Sequence, residues 1–256
     1  MIINHNLPAV NTHRNMGLNN TAASKNMEKL SSGLRINRAA DDAAGLSISE
    51  KMRGQIRGLE QAQRNVQDGI SFAQTAEGAM NEVSSMLTRM KELTVQRAND
   101  TYSASDKSNI NSELGQLGAQ IDSIISNTTF NGIHISGTDV KIQADDNKFQ
   151  ITIKGISSTG FKGLKSNVSL GSATSAIEAV AKQRANLGAV QNRLEYTSNN
   201  LGTTVENLTA SESRIRDTDM AKEMVALSKN NILLQASQSM LSQANSAPQG
   251  VLSLLR

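Results

Sequence analysis

Cysteine is absent from this 256-residue chain, and so is tryptophan. The first absence excludes disulfides, thiolate nucleophiles and thiolate-ligated metals. The second belongs to a wider shortage, since two Tyr and four Phe bring the aromatic share to only 2%. Thick globular cores lean on aromatic bulk. The apolar residues that remain, chiefly Ala, Leu, Ile, Val and Met, suit thin helix-on-helix packing. Only Pro8 and Pro248 are prolines, so the 239 residues between them contain none of the strongest helix breaker. Charge is scarce at both ends. Asn230 to Leu255 carries no charged side chain, and Arg14 is the only formal charge in the first 24 residues. Neither end holds the roughly 20 consecutive apolar residues of a spanning helix, so no membrane insertion is expected. A soluble surface helix ordinarily carries charge on its outer face. Uncharged amides and hydroxyls beside an apolar stripe suit a helix surrounded by other protein, so both ends are expected to be buried in something.

The net charge is +3, from 26 basic and 23 acidic groups. The most basic stretch, Lys25 to Arg57, interleaves its cations with Glu28, Asp41, Asp42 and Glu50. That reads as a solvated face, not the clustered stripe of a nucleic-acid domain. Met1-Ile-Ile-Asn-His-Asn-Leu-Pro8 shows neither a basic start nor a run of apolar residues, so no cleaved signal peptide is expected.

No catalytic constellation is readable, and no enzyme activity or cofactor is expected. His5, His13 and His134 have no metal-ligand spacing. Asp217-Thr-Asp219 and Asp41-Asp42 each precede a helical pattern, which favours helix capping over metal binding. No Gly-rich phosphate loop or Gly-x-Ser-x-Gly turn occurs.

What the chain does have is helical periodicity. From Met52 the apolar positions run Ile56, Leu59, Ala62, Val66, Ile70, Ala73, Ala76, Met80, Val83, Leu87 and Met90, always three or four apart. One helix from Met52 to Ala98 is expected. Asn99 to Ser103 breaks it, and Ser103 or Ser105 could cap a second helix carrying Ile110, Leu114, Leu117, Ile121 and Ile124. After Asn131-Gly132, a turn signal, the period changes to alternation. Val140, Ile142 and Ala144 face Phe149, Ile151 and Ile153 across Asp145 to Lys148, which predicts a β-hairpin. Gly155 to Gly171 reads as loop. Helical spacing resumes with Ile177, Val180, Leu187, Val190, Leu194, Leu201, Val205, Leu208 and Ile215. Met220, Leu227, Leu234 and Leu241 then recur every seven residues, and Ala23, Met27, Leu30 and Leu34 answer them near the start. The fold class is therefore mainly α, an extended antiparallel helical bundle or coiled-coil rod with a small β-hairpin element. Folding back would bring both ends together.

Several long runs resemble bacterial flagellin. They are Leu30-Ser-Ser-Gly-Leu-Arg-Ile-Asn-Arg-Ala-Ala-Asp-Asp-Ala-Ala-Gly-Leu46, Asn65-Val-Gln-Asp-Gly-Ile-Ser-Phe-Ala-Gln-Thr-Ala-Glu-Gly78, Leu187-Gly-Ala-Val-Gln-Asn-Arg-Leu194, Asn207-Leu-Thr-Ala-Ser-Glu-Ser-Arg-Ile-Arg-Asp217 and Pro248-Gln-Gly-Val-Leu-Ser-Leu-Leu-Arg256. The resemblance implies a structural, non-enzymatic subunit exported without a cleaved signal and polymerised into an extracellular filament for swimming. It implies an inner axial domain from residues 1–44 and 213–256, a helical rod from 45–129 and 172–212, and a vestigial central region at 130–171. Outer variable domains would be missing, making this a minimal form. Leu30, Leu34, Leu227, Leu234 and Leu241 are the expected filament-packing residues, and the charge-free ends should order only when neighbouring copies surround them. The implied partners are further copies of the chain, an export chaperone on the C-terminal segment, filament cap and hook-junction proteins, and a host innate immune receptor. For that receptor, a TLR-five-type ectodomain, the matching positions are Arg89, Leu93 and Gln96 on one helix face, with Glu113 beside them; Thr88, Lys91 and Arg97 depart from common versions of the motif. A hook–filament junction protein and a secreted membrane-active helical bundle are the alternative readings.

Overall fold

A computed structural model describes residues 5–166 and 168–254. Among them the order is α1 (Leu7–Ser32), α2 (Ala43–Arg97), α3 (Ala104–Asn127), β1 (Thr129–Phe130), β2 (Ile133–His134), β3 (Val140–Gln143), β4 (Gln150–Ile153), a single 3-10 turn at Ser158–Gly160, α4 (Leu170–Arg216) and α5 (Met220–Leu254). The chain is mainly α with two small antiparallel strand pairs.

The helix ends follow local chemistry. Asn6 caps α1 by accepting the Ala9 N–H at 3.2 Å, and Pro8 sits in the first turn, where its missing N–H costs nothing. Gly33 closes α1 at φ 71°, the left-handed cap that glycine adopts without a Cβ penalty. α2 starts nine residues before Met52, where its apolar seam first becomes readable. The start signal is a cap: Asp42 Oδ1 accepts the Gly45 N–H at 2.8 Å. Ser103, and not Ser105, caps α3, in a reciprocal box with Asp106. Asp219 caps α5 by accepting the Lys222 N–H at 3.1 Å. Asp42 and Asp219 are thereby helix caps and Asp41 is a turn acceptor, taking the Asn37 and Arg38 N–H groups, while Asp217 accepts the Ser213 hydroxyl at 2.7 Å.

The chain divides into two compact units, one from Met1–Gly54 with Leu208–Arg256 and one from Gln55–Asn207. In the second unit the expected α2 seam from Leu59 to Met90 is buried, with Val66, Met80, Val83, Leu87 and Met90 inaccessible to solvent. Ile110, Leu114 and Ile121 of α3 and the heptad Ala173, Val180, Leu187, Leu194 and Leu201 of α4 complete the helical core. The β3–β4 hairpin forms in the expected register, Val140 opposite Ile153 and Ile142 opposite Ile151. The Asn131-Gly132 signal makes a second hairpin as well. Both residues have positive φ, 49° and 78°, and Thr129 pairs with His134. Phe130 on this hairpin meets Phe72 of α2 edge to face at 5.9 Å. The segment that composition marked as loop is not simply solvated, because Ile156, Phe161 and Val168 are all buried.

Candidate functional site

In the first unit α1 packs along α5. The register is fixed by polar contacts, with Asn6 Nδ2 donating to the Ala244 carbonyl at 2.7 Å and Asn19 Nδ2 to Ser237 Oγ at 3.5 Å. With its amide oriented to satisfy both neighbours, Asn26 donates to Glu223 and accepts from Asn230 and the Leu227 N–H. Asn19, Ala23, Asn26 and Leu30 recur at three- and four-residue steps along this face of α1, as Asn230, Leu234, Ser237, Leu241 and Ala244 do along α5. The seam is thus half amide and half apolar. Buried amides need partners, and each helix supplies them to the other, which explains why a charge-poor helix can also be rich in Asn.

The structure places the expected packing residues Leu30, Leu227, Leu234 and Leu241 half-buried on this intrachain pair, and Leu34 half-buried just beyond α1. Leu34 bridges Asp217 in strand fashion outside the helix. Met27, grouped with them by spacing, is 53% exposed. A different set of large apolar side chains is left uncovered, and spacing alone did not single it out. Leu7, Val10 and Leu18 of α1 and Val225, Ile232 and Met240 of α5 are all exposed, Val225 by 70% and Ile232 by 65%. At about 100° per residue, Leu7, Val10, Leu18, Val225 and Ile232 point away from the α1–α5 seam. For Leu7, Val10, Leu18 and Ile232 the signal in the sequence was the scarcity of charge at the chain ends, not periodicity; Val225, between Glu223 and Lys229, had no such signal. Each helix therefore buries one face against the other and turns an opposite, largely apolar face outward, where Arg14 and Lys229 are also exposed.

The base of this unit is tied by Arg35, whose guanidinium donates to the Ile215 carbonyl, and by Arg216, which pairs with Glu50. The Arg216 hydrogen bond holds the Glu50 carboxyl below the ordinary carboxylate range, and the Arg38 N–H does the same for Asp41. Because both folded-state values are depressed, their contribution is present above the unfolded pKa and lost as pH falls through the folded one. Monomer is expected to melt at lower temperature at about pH 3 than at about pH 6, with a smaller drop in Glu50→Gln. Screening keeps the effect modest for such exposed groups. A Glu50→Gln titration that superimposes on the wild type would show that the pair contributes nothing.

The receptor-face candidates separate. Arg89 donates to Glu113 Oε1 at 3.2 and 3.1 Å and to Glu92 at 3.3 Å, and these carboxylates raise its pKa further. Gln96 is exposed and donates to the Tyr102 hydroxyl at 3.2 Å. Leu93 does not share their face, since it is 2% exposed beside Leu87 and Met90. Four- and three-residue steps put it next to Arg89 and Gln96, but α2 buries a wide arc here, roughly 120° at 100° per residue, and Leu93 falls inside it. Arg97 has a packing role: its guanidinium binds Asn111 Oδ1 and the Ser166 and Val168 carbonyls, fastening the buried loop to α2 and α3.

Among the described residues no group of three potential metal ligands converges, and no helix is long and apolar enough to cross a membrane. Residues 3–138 match the bacterial flagellin N-terminal helical region and residues 170–255 the bacterial flagellin C-terminal helical region. A flagellin of Halalkalibacterium halodurans is 52% identical, with all of both chains covered. A flagellar filament 33 kDa core protein of Treponema phagedenis is 46% identical and a flagellin of Bacillus subtilis 48%, again over the whole of each chain.

Proposed function

The chain belongs to the bacterial flagellin family, a family of structural filament subunits and not of enzymes, and we propose that its copies polymerise through the outward faces of α1 and α5. The observation that carries this is the large apolar residues left exposed on the outward faces, Leu7, Val10 and Leu18 of α1 and Val225 and Ile232 of α5, in a pair of helices with few charges toward the chain ends. Exposed apolar surface rimmed by polar residues marks protein–protein contact sites. A contact repeated head to tail without closing generates an open helical polymer. The polymer serves swimming motility outside the cell. Before assembly the same exposed ends suit an export chaperone on α5, and at the filament's ends they suit the cap and hook-junction proteins.

Limited proteolysis tests the assembly reading. α1 and α5 should be cut rapidly in monomer, because a lone helix pair with a thin amide seam is marginal, and protected in polymer. Equal cleavage in the two forms would refute it.

Recognition of the monomer by an innate immune receptor is supported by the juxtaposition of exposed Arg89 and Glu113, with Gln96 also on the surface. Arg89→Glu should weaken receptor binding at least tenfold with helicity unchanged, as removal of a central arginine does at interfaces. Leu93→Ala should instead lower stability, by about 2–5 kcal/mol for a buried Leu. Unaltered binding by Arg89→Glu would end this assignment.

A further inference from the structure

In the second unit the helices and the β3–β4 hairpin leave a depression beside α4 that the assembly face does not use. It is lined by Thr152 and Lys154 at the end of β4 and by Gln183, Asn186, Val190 and Arg193 of α4. β3 packs toward α2, where its Ile142 lies against Gly69 and the Gln143 carbonyl accepts from Asn65. β4 therefore has α4 on its outer side. The Ala144 N–H donates to the Phe149 carbonyl at 3.0 Å, so the hydrogen-bonded pairs of the ladder are Ala144–Phe149, Ile142–Ile151 and Val140–Ile153. Gln150 and Thr152 direct their backbone N–H and C=O groups away from β3, at the free edge. Such an edge is a template for another chain.

The depression is also electrostatically one-sided. Lys154 and Arg193 are exposed and make no ion pair among the described residues, and no carboxylate lines the site. The chain carries the opposite chemistry elsewhere on the same unit. The turn between β3 and β4 holds Asp145 and Asp146 against the single cation Lys148. Neither aspartate enters an ion pair among the described residues; Asp145 is half-buried, and Asp146 is exposed with its Cβ seated over Gly58 of α2. A cation pair beside an open strand edge and an acidic turn at the far end of the same hairpin are complementary, but one hairpin cannot satisfy itself.

We propose that the Asp145-Asp146 turn of one copy docks on Lys154 and Arg193 of a second copy, a heterologous contact that adds to the assembly through α1 and α5. It rests on the filament reading. Being heterologous, it propagates in one direction and does not close on itself. Its charges set register and encounter more than affinity.

The absence of native cysteine makes the test direct. Lys154→Cys and Asp146→Cys chains are mixed, polymerised and oxidised, alongside the same mixture kept monomeric. A disulfide-linked heterodimer that forms in polymer and is lost in monomer is expected. In parallel, Lys154→Glu with Arg193→Glu should raise the critical concentration for polymerisation about fivefold, the scale of two exposed ion pairs. Asp145→Lys with Asp146→Lys in the same chain should restore it. Normal polymer without the heterodimer, or charge reversal without rescue, would overturn the docking and leave the filament reading standing. Wild-type chain that fails to polymerise at all would overturn both.

Discussion

Gly118→Ala is expected to destabilise the monomer by about 2–3 kcal/mol, although alanine is the better helix former by about 1 kcal/mol. Gly118 lies within α3 and is buried. A Cβ there would stand 1.8 Å from the Leu164 carbonyl oxygen and 3.0 Å from its carbon. The obstacle is backbone, so no rotamer change can clear it. The segment around Leu164 must move instead, and overpacking of this kind costs about 1–3 kcal/mol beyond the propensity gained. Moving it also strains the Arg97 contacts to Ser166 and Val168, which hold the same segment. Gly115, one turn earlier, is an internal control. A Cβ there meets only Ser166 Cβ at 3.8 Å, an ordinary contact. Gly115→Ala should therefore stabilise by about 0.5–1 kcal/mol through the unfolded chain and helix propensity. Urea midpoints of the two variants should fall on opposite sides of the wild type. Equal midpoints would show that the Leu164 segment is held loosely enough to yield.

Gly118 also marks where sequence reading stops. Its neighbours Leu114 and Ile121 are plain in the apolar period, as are Met80, Leu87 and Leu194, because each needs only its own helix to be legible. Gly118 is needed because a loop 46 positions later passes over it, and nothing local announces that. Phe161 and Val168 are hidden in the same way, in a stretch whose Gly and Ser content suggests solvent. The caps Asp42, Ser103 and Asp219 were readable because capping is decided within one turn. Leu93 illustrates the converse error: spacing gives its angle around α2, but not how wide an arc the neighbouring elements cover. The terminal seam was half legible. Leu227, Leu234 and Leu241 announce themselves by their seven-residue repeat, whereas Asn19, Asn26 and Asn230 are seam residues only because the opposite helix answers their hydrogen bonds.

That division of the terminal helices into an inner seam and an outer face yields the sharpest test of assembly. Ile232 and Leu234 are two residues apart on α5 and almost identical in chemistry, yet they face opposite ways. Ile232 is 65% exposed. Ile232→Asp should leave the monomer's α1–α5 pairing and its helicity unchanged. In the polymer it should be severe, because covering an isoleucine contributes about 1.5–3 kcal/mol and an aspartate in its place would be a buried charge without a partner. Each 1.4 kcal/mol is a factor of ten in an equilibrium constant. The critical concentration should therefore rise about 10- to 100-fold, measured by sedimentation of polymer from a dilution series. Leu234→Asp should also abolish polymer, but by another route: it puts a charge into the intrachain seam and so lowers monomer helicity, leaving the second unit folded. Circular dichroism of the monomers separates the two routes. If Ile232→Asp polymerises at the wild-type concentration, the outer face is not the assembly surface. If Leu234→Asp leaves monomer helicity intact, that residue contacts neighbouring copies and not α1.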